Sequence, residues 1–161
     1  QLTSACVYLQ KREIAHRDIK PENILLFFES DPPIYKICDF GEAKEKIRVG
    51  SRHKSIRGTD YYMSPILFKG LMEKEKFVRD DPYKSDVFSL GYCFICASAL
   101  DPEVINEIRQ MKDQKKIRQI LLKYFPKEYS DKYINLLLKM ITLDENERVD
   151  FIGLDKLLQD Y

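Results

Sequence analysis

The stretch "HRDIKPEN" spans His16–Asn23, and "CDFGEAK" follows at Cys38–Lys44. Each is a polar turn that carries carboxylates and is flanked by apolar residues. The runs 23–28 and 34–40 are short, apolar and partly β-branched, and the "ESDPP" between them is typical of a turn. We therefore predict a β-hairpin that brings the two polar turns together at one end.

The two turns together contain the groups that phosphoryl transfer requires. That reaction needs a carboxylate to accept the proton of a hydroxyl, a cation near the phosphate, and hard oxygen ligands for Mg²⁺. The first turn supplies Asp18, Lys20 and Asn23, and the second supplies Asp39 shortly before a glycine. Taken singly, Asp18 and Asp39 would be turn residues or helix caps. Their joint spacing favours one site, with Asn23 and Asp39 side by side.

The bulk composition is that of one globular domain without a strong charge. The chain has 161 residues, with 44% hydrophobic and 33% charged residues, and 27 Lys and Arg against 26 Asp and Glu. Such a balance gives no overall attraction to nucleic acid or to an anionic membrane. The longest apolar stretch, Ser89–Leu100, is too short to cross a bilayer and predicts a buried helix.

The same apolar stretch holds Cys93 and Cys96 in a C-x-x-C pattern. This pattern could indicate a metal or redox site. No second pair of ligands accompanies it, and cysteine without a disulfide is a common core residue. We therefore interpret both cysteines as part of the core.

Most of the remaining chain is predicted to be helical. Apolar residues recur at three- and four-residue spacing in 1–15 and again in a buried segment at 86–100. The same spacing predicts further helices at 102–111, 115–125, 130–143 and 151–161, and Ser130 can cap the third of these. Residues 41–65 are basic and polar, which predicts a long functional or mobile loop. The expected fold is mainly α with a small β-hairpin.

Five motifs resemble, in the same order, those of eukaryotic protein kinases. "HRDIKPEN" resembles the catalytic loop, and the "DFG" of 39–41 resembles the metal-binding loop. The end of the activation segment is resembled by "GTDYYMSP" (58–65), and the start of the long central helix by "SDVFSLG" (85–91). The late stretch whose arginine stabilises the large lobe is resembled by "ITLDENERVDF" (141–151). The resemblance implies an α+β large (C-terminal) lobe over 1–161, with a catalytic loop at 16–23, a metal-binding loop at 39–41, an activation segment at 39–66 and a helical remainder at 67–161.

The resemblance also implies roles for individual residues. Asp18 would be the catalytic base for the substrate hydroxyl, and Lys20 would neutralise the γ-phosphate of ATP. Asn23 and Asp39 would bind Mg²⁺. Leu25 would form the floor under the adenine ring.

Two residues imply the class of substrate. Lys20 stands where serine/threonine kinases place a lysine, and Thr59 resembles the threonine that contacts the catalytic acid and lysine in that class. The implied reaction is transfer of the ATP γ-phosphate to a serine or threonine hydroxyl of a protein. Two structural roles are also implied: His16 would pack on Phe40, and Asp86 would hold the backbone of the catalytic loop.

The basic loop suggests regulation by phosphorylation. Arg17 resembles the arginine that receives a phosphate on the activation loop. We hypothesise that phosphorylated Ser55, four residues before Thr59, docks on Arg17 and orders the segment. An upstream activating kinase would then be a partner. The alternative is a solvated basic loop with no regulatory role.

One departure from the family concerns the late arginine. In the family, a glutamate after the proline of the activation segment bonds this arginine, but here Ile66 follows Pro65. Because an unpaired buried charge is costly, either Arg148 finds another acid, for which Glu73 and Glu147 are candidates, or the activation segment is loosely anchored. On this interpretation, Ile66→Glu would raise the melting temperature.

A second departure concerns the part of a kinase that covers ATP. The six glycines form no G-x-G-x-x-G loop, and no strand with a V-A-I-K-like lysine precedes the catalytic loop. We therefore expect only the large lobe and very low activity from this polypeptide alone, which begins with Gln1 and is either processed or a piece of a longer protein. The alternatives are an inactive kinase-like binding or scaffold module, and an unrelated helical domain. The expected location is intracellular, cytoplasmic or nuclear.

Overall fold

Helices make up most of the fold, as the apolar spacing predicts. The computed structural model describes residues 1–29, 31–46, 52–53, 56–99, 101 and 103–159, with residues 52 and 53 described by their backbone alone. The helices are α1 Leu2–Lys11, α2 Pro65–Met72, α3 Pro82–Ala99, α4 Glu103–Gln110, α5 Gln114–Tyr124, α6 Asp131–Met140 and α7 Phe151–Gln159. Short 3₁₀ turns lie at Pro21–Asn23 and Asp60–Tyr62. Within the described ranges, no helix is both long and apolar enough to cross a membrane.

The strands form three small antiparallel pairs. They are β1 Ile14–Ala15, β2 Ile24–Phe27, β3 Ile34–Ile37, β4 Lys44–Glu45, β5 Arg52–His53 and β6 Val78–Arg79. Strands β2 and β3 form the predicted hairpin, with Ile24 opposite Ile37. This register places the chain just before β2 beside the chain just after β3. The pairs β1–β4 and β5–β6 contain two residues per strand and were not predicted.

Helix α3 lies at the centre of the fold and contacts α4, α5, α6 and α7. Its side chains Val87, Leu90 and Ile95 are completely inaccessible to solvent. A helix that is apolar around its whole circumference has to be covered on all sides. Removing one such side chain from water contributes about 1.5–3 kcal/mol. The buried helix predicted at 86–100 is confirmed, although it begins earlier, at Pro82.

The helices after α3 also agree with the sequence pattern. The predicted segments 102–111, 115–125, 130–143 and 151–161 correspond in the described residues to α4, α5, α6 and α7. The predicted cap is present, since the backbone N–H of Tyr133 donates to Oγ of Ser130 at 3.2 Å. This bond satisfies one of the N–H groups that the first turn of a helix leaves without a partner.

Arg148 is almost fully buried, with 1% of its surface exposed, and its guanidinium is fixed by backbone carbonyls. Nε donates to the carbonyl of Thr142 at 2.7 Å, Nη1 to that of Lys84 at 3.3 Å, and Nη2 to that of Leu143 at 3.2 Å. The guanidinium also lies 4.8 Å from the centre of the Phe88 ring. The side chain therefore has hydrogen-bond acceptors without a glutamate at position 66.

The expected ion pair of Arg148 with Glu73 or Glu147 is wrong. No ion pair among the described residues joins Arg148 to either acid. Burial lowers the pKa of Arg148 to about 10, and the negative charge of Glu145 opposes that shift. The buried guanidinium is therefore satisfied by hydrogen bonds to carbonyls and not by an ion pair, so we do not expect Ile66→Glu to raise the melting temperature.

Candidate active site

Helix α3 holds the first polar turn through the carboxylate of Asp86. Its Oδ2 accepts from the backbone N–H of His16 at 2.7 Å, and its Oδ1 accepts from that of Arg17 at 2.9 Å. Arg17 has a φ of +69°, in the left-handed region that side-chain-bearing residues rarely adopt. The two bonds offset the cost of this conformation and orient Asp18, which follows. This is the role that the resemblance implied for Asp86.

His16 joins the first polar turn to the second. Its Nε2 donates to the carbonyl of Cys38 at 3.1 Å, and its Nδ1 accepts from the backbone N–H of Asp18 at 3.4 Å. The imidazole centre lies 4.9 Å from that of the Phe40 ring, as expected. Burial lowers the pKa of His16, so the ring is neutral near pH 7. These contacts hold the two turns together.

Asp18, Lys20 and Thr59 form a hydrogen-bonded cluster. Nζ of Lys20 lies 2.8 Å from Oδ2 of Asp18 and donates to Oγ1 of Thr59 at 3.0 Å. Oδ1 of Asp18 accepts from the backbone N–H of Thr59 at 2.8 Å and from its hydroxyl at 3.0 Å. Thr59 is thus placed against the acid and the lysine, although 41 residues separate it from Asp18.

The cluster also sets the charge of its members. Burial alone would raise the pKa of the Asp18 carboxyl, but the bonds from Lys20 and Thr59 outweigh it and lower that pKa. The bond to Asp18 raises the pKa of Lys20. Near pH 7 the cluster therefore contains a carboxylate and an ammonium in direct contact. Such a carboxylate can orient a hydroxyl and accept its proton, and the ammonium can face a phosphate.

Asn23 and Asp39 lie at the same end of the hairpin, as predicted. The backbone N–H of Cys38 donates to the carbonyl of Asn23 at 2.9 Å, which places Asp39 directly beyond this contact. The side-chain NH₂ of Asn23 donates to the carbonyl of Asp18 at 2.9 Å and lies 3.3 Å from its Oδ2. Asp39 has a φ of +60°, and its Oδ1 accepts from the backbone N–H of Gly41 at 3.1 Å. The hairpin thus joins both turns into one site.

The donor atoms of Asn23 and Asp39 fit a magnesium ion. Because the amide nitrogen of Asn23 bonds Asp18, its amide oxygen is the atom that could face a cation. Mg²⁺ prefers oxygen ligands and is usually held by one or two carboxylates together with substrate phosphates and water. In the described ranges, no group of three or more His, Cys, Asp or Glu residues is arranged to hold a metal alone.

The remaining predicted residues lie near this cluster or outside the described chain. Leu25 is on β2, opposite Lys36, and is 43% exposed. Arg17 lines a small polar cavity of about 30 Å³ together with Asp18, Thr59 and other residues. Ser55 lies outside the described residues, so the phosphorylation hypothesis for it stays a prediction.

Leu25 is one of several exposed apolar residues on the hairpin. Six large apolar side chains there are more than a third exposed: Leu25, Leu26, Phe27, Phe28, Ile34 and Tyr35. Because successive residues of a strand point to opposite faces, Leu25 shares one face of the hairpin with Phe27, whereas Leu26 and its cross-strand partner Tyr35 lie on the other.

Sequence reasoning missed two residues that support the site. Gly58 has a φ of +106°, and a Cβ there would lie 2.5 Å from the carbonyl oxygen of Arg17. Its position next to Thr59 in the motif could have indicated a close approach of the backbone. Arg109 has no such signal, because its partner Tyr61 is 48 positions away in the sequence.

Comparison with known proteins agrees with this geometry. Residues 1–160 match the family described as "Protein kinase domain". The chain is 36% identical over 158 residues to the probable serine/threonine-protein kinase kinY of Dictyostelium discoideum, covering 91% of this chain and 24% of that protein. It is 32% identical over 162 residues to the probable serine/threonine-protein kinase CCRP1 of Zea mays, covering 99% and 23%.

A third relative is the calcium-dependent protein kinase 3 of Plasmodium yoelii yoelii, at 29% identity over 158 residues, covering 93% of this chain and 27% of that protein. The chain thus spans about a quarter of the length of these relatives. The family match extends over nearly the whole chain. The chain belongs to the protein kinase family, among relatives that are serine/threonine kinases.

Proposed function

We propose that this chain forms the catalytic and metal-binding part of a serine/threonine protein kinase, with residues 1–161 as its large lobe. The proposed reaction transfers the γ-phosphate of ATP to a serine or threonine hydroxyl of a protein. The observation that carries this proposal is the cluster of Asp18, Lys20 and Thr59, with Asn23 bonded to the same acid. A carboxylate, a cation and an amide meet there within hydrogen-bonding distance.

Each side chain has a separate task in the proposed mechanism. The carboxylate of Asp18 orients the substrate hydroxyl and accepts its proton as the oxygen attacks phosphorus. The ammonium of Lys20, 2.8 Å from that carboxylate, neutralises charge on the transferred phosphate. Thr59 holds both groups in position, because its backbone N–H donates to Asp18 and its hydroxyl oxygen accepts from Lys20.

ATP and Mg²⁺ are the cofactors that the protein kinase family uses, and the proposal assigns them to residues of this chain. Asn23 and Asp39 would hold Mg²⁺, which would neutralise the phosphates of bound ATP. Leu25 would contact the adenine ring from the exposed apolar face of the hairpin. The proposed partners are a protein substrate and an activating kinase that acts on Ser55, in an intracellular compartment.

The test is phosphate transfer by the natural protein that carries this chain. Asp18→Asn keeps the shape of the side chain but removes the proton acceptor, so we expect kcat to fall by about 10²-fold or more. Asp131→Asn is the matched control, because Asp131 is an exposed acid that also contacts a cation, Nη2 of Arg118 at 2.6 Å. The control should keep the wild-type rate.

Two outcomes would contradict the proposal. Full activity of Asp18→Asn would remove Asp18 from the catalytic role. A wild-type protein that transfers no phosphate to any protein or peptide would instead favour a binding or scaffold module. Analysis of the phosphorylated residue tests the substrate class, since phosphotyrosine as the only product would exclude the serine/threonine assignment.

A further inference from the structure

The side chain of Arg109, on α4, reaches the 3₁₀ turn at Asp60–Tyr62. Its Nε donates to the carbonyl of Tyr61 at 3.1 Å, and its Nη2 donates to the carbonyl of Asp60. The two acceptors are consecutive, so the planar guanidinium bonds the backbone of the turn at two points. A lysine has a single nitrogen and cannot reproduce this geometry.

Three aromatic rings surround the guanidinium of Arg109. Its central carbon lies 4.4 Å from the ring centre of Phe68, 5.6 Å from that of Tyr61 and 5.9 Å from that of Tyr92. These rings belong to α2, the 3₁₀ turn and α3. Rings from separate elements around one cation restrict its position, because a guanidinium is attracted to the face of each ring. Arg109 therefore links four elements of the fold.

The turn that Arg109 holds continues directly from Thr59. The backbone N–H of Tyr62 donates to the carbonyl of Thr59 at 3.0 Å, and Thr59 bonds the carboxylate of Asp18. Oγ of Ser89, on α3, donates to the carbonyl of Tyr62 at 2.8 Å. Consequently all three carbonyls of the turn accept hydrogen bonds from α3 or α4. A displacement of the turn would displace Thr59 from Asp18.

The contact of Arg109 with the 3₁₀ turn is more important in this chain because residue 66 is an isoleucine. A carboxylate at position 66 could join the end of the activation segment to the buried Arg148, but isoleucine cannot. Arg148 instead bonds the carbonyls of Thr142, Lys84 and Leu143, which all lie outside residues 39–66. The guanidinium of Arg109 instead bonds the backbone near the end of this segment, at Asp60 and Tyr61.

We infer that Arg109 is a positioning residue for the proposed phosphotransfer site. It anchors the 3₁₀ turn at Asp60–Tyr62 to α3 and α4, and thereby keeps Thr59 in contact with Asp18 and Lys20. This inference rests on the proposed function. It predicts that Arg109 affects the chemical step more than the binding of ATP, because it contacts neither the hairpin nor the second polar turn.

The experiment compares Arg109→Ala and Arg109→Lys with the wild type in the natural protein that carries this chain. We expect Arg109→Ala to lower kcat about tenfold or more while the KM for ATP changes about twofold or less. Arg109→Lys should have a kcat between those of the wild type and Arg109→Ala, since lysine keeps the charge and loses the paired bonds. Arg118→Ala is the matched control, because Arg118 also bonds two side chains, Asn135 and Asp131, on the exposed surface.

Hydrogen exchange tests the anchoring without any need for activity. The N–H groups of Tyr62 and Met63 donate to carbonyls of Thr59 and Asp60, so they report on the turn. We expect a peptide covering 59–63 to exchange about tenfold faster in Arg109→Ala, and a peptide covering 131–140 to stay unchanged.

The possible outcomes separate this inference from the proposed function. Unchanged exchange of 59–63 in Arg109→Ala would overturn the anchoring, and an unchanged kcat would overturn the positioning role. An equal loss of kcat in Arg118→Ala would show that any arginine loss has this effect and would also overturn the inference. A wild-type protein without transferase activity would contradict the proposed function, whereas faster exchange in Arg109→Ala would still support the anchoring.

Discussion

The carboxyl group of Asp86 is almost fully buried and accepts hydrogen bonds from backbone N–H groups. It is 4% exposed and accepts from His16 and Arg17. Burial raises its pKa to about 7, the negative charge of Asp80 acts in the same direction, and the two backbone bonds and the charge of Arg17 oppose it. At the scale of one residue, the protonation of a single buried carboxyl therefore links the stability of the fold to pH.

This coupling predicts how stability changes with pH. The folded protein retains the proton of Asp86 up to about pH 7, whereas an unfolded chain loses it near pH 4. Between these values the folded state binds more protons, so the stability contribution of Asp86 falls as pH rises and is constant above about pH 7. Asparagine does not titrate. The free energy of unfolding of wild type minus that of Asp86→Asn should therefore fall by about 2 kcal/mol from pH 5 to pH 7.

Urea unfolding of both proteins at pH 5, 6, 7 and 8 provides the measurement. Asp131→Asn makes the same chemical change at an exposed position and serves as the control. A difference between wild type and Asp86→Asn that stays constant, or grows with pH, would show that the buried carboxyl is ionised throughout this range. The backbone bonds would then outweigh burial.

At the scale of elements, the packing of α3 against the end of α6 depends on a glycine. A Cβ at Gly91 would lie 2.8 Å from Cγ2 of Ile141 and 3.0 Å from Cβ of Met140. Both neighbours are completely buried, so neither can move into solvent. Gly91 thus allows the close approach of α3 and α6.

We therefore predict that Gly91→Ala destabilises the protein. Alanine gains about 1 kcal/mol over glycine in a helix, but forcing a methyl group into a packed core costs about 1–3 kcal/mol. We expect a lower free energy of unfolding, measured by chemical denaturation. Gly153→Ala in α7 is the control, because its nearest contact, Oδ1 of Asp150, is at 3.2 Å. Stabilisation by Gly91→Ala equal to that of the control would contradict the close packing.

At the scale of the whole molecule, one side chain joins the first helix to the last. Nε2 of Gln10, on α1, donates to Oδ2 of Asp150 at 2.8 Å. Its Oε1 accepts from the backbone N–H of Phe151 at 3.0 Å and from that of Ile152 at 3.3 Å. Gln10 therefore caps the beginning of α7 from about 140 positions earlier in the chain. This contact closes the fold around α3.

Replacement of Gln10 by methionine should destabilise the whole domain. The substitution keeps the size of the side chain, but it removes the bonds of Gln10 to two N–H groups at the start of α7 and to Oδ2 of Asp150. We expect a loss of about 2 kcal/mol in the free energy of unfolding, measured by chemical denaturation. Gln159→Met is the matched control, since Gln159 makes one exposed bond of 3.4 Å to Asp155. An effect of Gln10→Met no larger than that of the control would refute the capping role.

Most elements could be predicted from the sequence because their signals are local. Short β-branched apolar runs on either side of a turn indicated the hairpin. Helical spacing of apolar residues indicated α3 and the helices after it, and Ser130 was identified as a cap. The two-residue pairs β1–β4 and β5–β6 could not be predicted. They join residues 25 or more positions apart, and two residues carry no periodicity.

The sequence by itself determined the chemical groups of the candidate site and the turn that presents several of them. Asp18, Lys20 and Asn23 lie within six residues, so their contacts follow from the local chain. The resemblance of the motifs also implied the contacts of Asp86 and Thr59 with this turn. Only the tertiary structure decided that Arg109 holds the 3₁₀ turn next to Thr59. It also decided that Arg148 binds carbonyls, because a buried side chain takes whichever acceptors the packed backbone brings near it, and sequence spacing does not encode that choice.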